Sequence, residues 1–219
     1  MEGVIALVVV LGLAALWLQM QAMKRRVNEI EALCAARGWT FRDVDTEGLD
    51  GLGFWLTSQG HSKLVENVVW LRSSDDHALR LFDYQYTTGS GKNRATWRYT
   101  CSIADLPVTR WPRLRVTPET ALDRLADHIG LRDLELESEE FNRAFEVETE
   151  NNRFATAVLD PQMMQWLLES WPHACFEIAG GVLMIWTDHL EPNRWVSLAS
   201  RPDELRAHIS PTVHDLYPS

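Results

Sequence analysis

Four groups of residues could do chemistry, and each has a simpler reading. Gly89-Ser90-Gly91-Lys92 has the composition of a loop that cradles phosphate. In the GxxxxGK[ST] pattern, however, the first glycine would fall on Tyr86, Asn93 replaces the hydroxyl residue, and an extended stretch follows instead of a helix. The spacing predicts a hairpin loop. Asp75-Asp76-His77 and Asp188-His189 offer oxygen and nitrogen donors, but aspartates in turns bond their own backbone, and no HxxxH or HxxEH pair supports a metal centre.

The richest carboxylate run is Asp133, Glu135, Glu137, Glu139, Glu140, Glu146, Glu148 and Glu150. On a strand, Asp133, Glu135 and Glu137 share one side with Leu134 and Leu136 opposite, the pattern of a solvated face. A basic stretch (Lys92, Arg94, Arg98, Arg110, Arg113, Arg115) could pair with it. A glycosidase-like pair would need one carboxyl buried enough to raise its pKa, and the sequence carries no such signal. Cys34, Cys101 and Cys175 are an odd, widely spaced set without CxxC, which suggests buried thiols in a reducing compartment. GxSxG and GxGxxG are absent. The reading leans away from an enzyme and assigns no catalytic, cofactor-binding or metal residue; no cofactor is expected.

The elements that would position such residues begin with Gly3–Met23, a run without charge whose strongly polar side chains are Gln19 and Gln21. At about 1.5 Å per residue, it spans roughly the 30 Å of a bilayer's hydrocarbon core. A cleaved signal peptide would have a basic leader and a small-residue cleavage site, whereas this leader carries Glu2 and the far end is bulky at Leu16-Trp17-Leu18. A core helix this apolar would be costly to hide in so small a domain. The expectation is an uncleaved anchor over 1–26, with Lys24, Arg25 and Arg26 as a basic collar held on the cytoplasmic side. The N-terminus would then lie outside and the domain inside the cell. Residues 27–38 read as a juxtamembrane helical stalk stopped by Gly38, with a partner-binding helix as the alternative.

The chain carries 21 basic and 31 acidic residues, net −10; without Glu2 and the collar, 18 and 30 remain, net −12. An acidic domain is a poor nucleic-acid binder, so none is expected as partner. Ten tryptophans read mainly as core.

Over 39–219, a single α+β domain is expected. Thr40–Gly60 looks loop-like. Lys63–Arg72, Leu79–Thr87 and Ala95–Ile103 alternate with period two between turn-forming segments, predicting an antiparallel meander. Val108–Val116 reads as an edge or connector because of Pro107 and Pro112. A helix capped by Thr117 should run to Gly130, followed by a short strand at Leu134–Glu137 and a helical turn over Ser138–Phe145. Glu146–Glu150 and Phe154–Leu159 read as extended. Asp160-Pro161 should start a firm helix, Gly180-Gly181 should turn a hairpin, and a short helix should close the chain near Pro202–His208. The fold class is α+β: one transmembrane helix, then a sheet-dominated antiparallel domain with two or three packed helices.

GWTF at 38–41, NVVW at 67–70, FDYQYTT at 82–88 and LESEEFNRAFEVETENNRFATAVLDPQMMQWLL at 136–168 resemble an uncharacterised family of bacterial membrane proteins, mostly high-GC Gram-positive, carrying a domain of unknown function. The resemblance extends through Gly180-Gly181 to ISPTVHDLYP at 209–218 and departs at Trp70-Leu71, where a small residue is expected. It implies fold and anchoring and supplies no catalytic residues. Its most specific residues, Ser138, Phe141, Asn142, Phe145, Asp160 and Pro161, read as scaffold: buried rings, helix caps and a helix-opening proline. The resulting expectation is a membrane-anchored interaction or scaffolding module, with another membrane-associated protein as partner. The alternatives are a small-molecule or lipid-headgroup binding module, using Trp55, Trp97 or Trp195, and, weakest, a hydrolase.

Overall fold

The computed structural model describes residues 1–72, 76–107, 110–119 and 132–218. Its first element, α1 (Glu2–Arg37), is one uninterrupted helix of 36 residues. It ends where expected: Gly38 takes a left-handed φ of 68°, and the Trp39 amide donates to the Cys34 carbonyl at 3.0 Å. Side chains from Leu7 to Met23 lie exposed, and among the described residues α1 is the helix long and apolar enough to cross a membrane. Its last turns behave differently. Ile30 and Cys34 are fully buried in the domain's core, so the expected stalk over 27–38 is an integral packing element of the domain.

Behind α1 lies an antiparallel sheet of nine strands among the described residues: β1 (Thr40–Val44), β2 (His61–Arg72), β3 (Ala78–Thr88), β4 (Ala95–Asp105), β5 (Trp111–Pro118), β6 (Arg132–Asp133), β7 (Phe145–Thr149), β8 (Phe176–Gly180) and β9 (Val182–Asp188), ordered β1-β2-β3-β4-β9-β8-β5-β7-β6. The β2–β4 meander and the β8–β9 hairpin match their sequence patterns. Two assignments do not. Thr40–Val44 is a strand despite its almost fully exposed side chains, held to β2 through backbone pairing. β5 is interior, between β8 and β7. Pro112 is tolerated there because the β5–β8 register slips between Trp111↔Gly180 and Leu114↔Ile178, and the missing amide falls in that bulge.

The sheet buries both faces, as the alternation on β3 makes clear. Leu79 and Leu81 join one core with Ile30, Val116, Phe176, Ile178 and Ile185; Phe82, Tyr84 and Tyr86 join the other with Cys101, Ile103 and Trp186. The first core is also packed by side chains from α3 (Glu139–Ala144), α4 (Asn152–Val158), α5 (Pro161–Ser170), α6 (Trp195–His208) and α7 (Pro211–Leu216). The second receives Leu49, Phe54 and α2 (Trp55–Ser58). The α+β, sheet-dominated class therefore stands, with more helical turns than the two or three expected.

Three further corrections follow. Phe154–Leu159, expected extended, is the body of α4 and its C-cap: the Asn151 side chain caps the Phe154 amide at 3.0 Å and Phe154, Ala155 and Val158 are buried. Leu134–Glu137 is not a strand; the short pairing with β7 lies at Arg132–Asp133. Thr117 and Pro118 finish β5 and do not open a helix, while the rest of that expected helix, like Ser73–Asp75, lies outside the described residues.

The burial of Ile30 generates a test. Ile30→Ala in the full chain is expected to lower the unfolding free energy by about 2–5 kcal/mol in urea titration, the cost of a large-to-small core substitution. A change no larger than that of an exposed α1 substitution such as Val10→Ala would place Ile30 outside the core.

A juxtamembrane cleft latched by Arg26 and Asp83

Where α1 leaves the sheet, the two elements diverge around a cleft of about 500 Å³. Gln19, Ala22, Met23 and Val27 line the helix side; Leu64, Glu66, Asn67, Asp83, Gln85 and Arg98 line the sheet side, with Asp43 and His189 at its margins. At its base sits Asp83, a carboxylate in the middle of a central strand, with a side chain 9% exposed. Arg26 grips it with two bonds, Nε to Oδ2 at 2.8 Å and Nη2 to Oδ1 at 2.7 Å. Asn67 Nδ2 donates to Oδ2 at 2.8 Å, the Thr100 hydroxyl donates to Oδ1 at 3.1 Å, and His189 Nε2 lies 3.4 Å from Oδ1. Burial alone would push this carboxyl up, but the bonds from His189, Arg26 and Asn67 together outweigh it and hold Asp83 below the usual carboxylate value.

Two neighbours carry unspent polar character. Asn67 takes a φ of 55° at a register shift in β2, and its Oδ1 is buried without a hydrogen-bond partner. The Glu66 carboxyl is pushed up by burial and by Asp83 and Asp43 beside it. The arrangement resembles a relay only in outline. The Thr100 hydroxyl donates to Asp83 and accepts from the Leu190 amide, so it is not held as a nucleophile on His189.

The residues singled out by sequence fall elsewhere. Of the collar, Arg25 is exposed and pairs with Glu29 at 2.8 Å, whereas Arg26 turns into the domain to form the latch. Ser138 Oγ caps the Phe141 amide at 3.2 Å and Asp160 Oδ1 caps Met163 at 2.9 Å, with Pro161 opening α5. Phe141 and Phe145 stack at 4.9 Å, and the Asn142 side chain bonds both the amide and the carbonyl of Leu136. These residues form a helix-capping scaffold on the first core, and none of them lines the cleft. Trp55, Trp97 and Trp195 are absent from that lining: Trp195 is fully buried 5.8 Å beneath Arg26, Trp97 bonds Thr88, and Trp55 stacks with Trp186. Among the described residues, no group of three or more His, Cys, Asp or Glu could hold a metal ion. Burial pushes the Cys101 thiol well up and the Cys175 thiol to about 12, far from a reactive thiolate.

A second buried cluster lies across the sheet. Arg115 on β5 is bonded to Glu148 opposite it on β7, and Arg113 bonds Glu177 on β8. Glu148 therefore leaves the solvated face on which the carboxylate run was placed, and the basic and acidic stretches do meet at Arg113 and Arg115. Glu177 is fully buried; burial pushes its carboxyl up despite the Trp55 amide and the two arginines. The Arg115 guanidinium lies 4.2 Å from the Trp55 ring, and its Nε and Nη1 have no hydrogen-bond partner. Glu177 is a carboxyl of perturbed acidity that the sequence did not reveal. It lines neither of the two described cavities, so it works as a cross-sheet tie.

The fold and cleft together define a sheet-dominated α+β domain fused to a helix long and apolar enough to span a membrane. The crystal structure of the mycobacterial trehalose monomycolate transport factor A, TtfA, has this fold: the two superpose with a TM-score of 0.61 over 85% of this chain and 97% of that one, at 10% sequence identity. No protein-family model and no curated protein matches the chain.

The latch makes stability depend on acid. Because Asp83 titrates below its unfolded-state value, its contribution is complete above the ordinary carboxylate pKa and is lost as pH falls through the depressed folded value. Asp83→Asn is expected to cost about 3–5 kcal/mol at neutral pH, by leaving Arg26 without its countercharge, and to flatten the acid limb of the stability profile. An acid limb identical to that of the wild type, followed by chemical denaturation from pH 7 to pH 2, would remove the latch from the account.

Proposed function

We propose that this chain is a membrane-anchored accessory module that holds its α+β domain against the bilayer to bind another membrane-associated protein. The observation that carries the reading is the latch: a helix suited to the membrane continues into the domain core and is pinned by Arg26 to Asp83, so the domain is held in a fixed pose and not on a flexible leash. Exposed Lys24 and the Arg25 beside it favour a cytoplasmic domain by the positive-inside rule. The fold neighbour is named as a transport factor, and an accessory role at a membrane fits that likeness. The cleft supports a second reading, a small-molecule or lipid-headgroup site. It combines an apolar helix side (Ala22, Met23, Val27) with polar sheet residues and the unpartnered Asn67 Oδ1.

Photo-crosslinking separates the two. With a benzophenone side chain at Leu64 or Gln85 in intact membranes, the module reading expects a discrete protein adduct that disappears in Asp83→Asn but persists when the probe-free face at Glu169 is altered. Adducts to lipid or small molecules alone would overturn it in favour of the second reading.

A further inference from the structure

We infer that the cleft between α1 and the sheet binds a phosphoethanolamine zwitterion, its primary ammonium on Glu66 and Asp43 and its phosphate on Arg98. The inference rests on the second reading above, a small-molecule or lipid-headgroup site, and names its ligand. The cleft is electrically two-sided. Its β1–β2 side carries Asp43 and Glu66, and neither makes a hydrogen bond or ion pair among the described residues. Arg26 is committed to Asp83 through its two bonds. Burial, Asp83 and Asp43 push the Glu66 carboxyl up against the weaker pull of Arg98 and His189, and the same negative field draws in a cation. The β4 side carries Arg98, an exposed guanidinium whose bond is to neutral Gln85, Nε to Oε1 at 3.3 Å. It pairs with no carboxylate among the described residues, and its planar fork suits phosphate.

Asn67 adds an acceptor that nothing in the protein fills. It lines the same cleft and is 7% exposed; its Nδ2 is spent on Asp83, and its Oδ1 has no hydrogen-bond partner. A primary ammonium has three N–H donors, enough for both carboxylates and this oxygen, whereas a quaternary ammonium has none. The separation of the charges selects the length of the ligand. β2 and β4 flank β3, so the backbones at Glu66 and Arg98 stand at least about 10 Å apart. Arg98 also lies one pair further along, opposite Gln85, while Glu66 is opposite Asp83. An α-amino acid carries both charges on one carbon and is short for this span. Phosphoethanolamine sets two carbons and an oxygen between nitrogen and phosphorus. Ala22, Met23 and the exposed Leu64 border the same cleft, an apolar bed for glycerol and acyl chains where the headgroup belongs to a lipid.

The test uses the full chain in dodecyl maltoside micelles, with bound lipid counted by native mass spectrometry. The dihexanoyl forms of phosphatidylethanolamine, phosphatidylcholine and phosphatidylglycerol compete for the site. The expected result is one phosphatidylethanolamine retained at least about tenfold over phosphatidylcholine, through charge-assisted N–H bonds that choline cannot make. Glu66→Gln is expected to abolish that preference, and Arg98→Gln to weaken both lipids alike. Displacement by glycerophosphoethanolamine would support the zwitterion as a free solute; retention against it would support the lipid. Equal retention of phosphatidylethanolamine and phosphatidylcholine would overturn the ammonium site and leave the cleft a headgroup site. A preference that survives Glu66→Gln would overturn the ammonium site too. Retention of phosphatidylglycerol alone would overturn the zwitterion, and retention of none of the three would overturn the headgroup reading itself.

Discussion

A buried carboxylate in the middle of a strand governs the architecture. Asp83 remains ionised at the base of the cleft because His189 and Asn67 bond it and a guanidinium reaches it from another element, α1. Taking a carboxylate out of water costs several kcal/mol unless the geometry of its partner is good, and here two parallel bonds plus donors from Asn67 and Thr100 satisfy it. The same pair fixes the register of α1 on the sheet. Ile30, one turn on, then joins the core that includes Leu81, and the apolar contacts follow from the polar one.

The sheet meets the need to cover two faces in two ways. Across β2, β3, β4 and β9 the second face is filled by aromatic side chains, with Tyr86 stacked on Tyr99 at 5.9 Å. Across β5, β7 and β8 the same face is occupied by Arg113, Arg115, Glu148 and Glu177 under the short Trp55 helix. Buried ion networks of this kind add little net stability but resist misregistration, since a slip by one residue would send each charge to the opposite, apolar face.

The sequence exposed this fold unevenly, for reasons visible in single elements. β2 to β4 were legible because apolar residues alternate between turn-forming segments. β1 was not, because nearly all its side chains are exposed and its pairing is made by the backbone, which leaves no hydrophobic trace. FATAVL at 154–159 misleads by composition: its β-branched residues suggest a strand, while the cap that makes it a helix is a single Asn at 151. Pro112 suggested an edge because a bulge cannot be seen in one strand alone. At the cleft, Asp83 did leave a trace, a charge inside the apolar run Phe82–Tyr86. Its partner Arg26 lies 57 positions away within a charge cluster that a membrane collar explains equally well. Only the packing of α1 on β3 brings them together.

The unbroken course of α1 from Leu7 to the Gly38 stop has a rotational consequence. Each residue turns the helix by about 100°, so the face that the apolar half presents sideways is rigidly geared to the azimuth of the domain. One residue inserted between Gly12 and Leu18 would leave the latch, the sheet and the cleft intact. It would nevertheless swing the whole domain around the helix axis, relative to the apolar half, by more than a quarter turn. The length of the apolar stretch, counted from Arg26, thus acts as a compass bearing as much as a measure of reach.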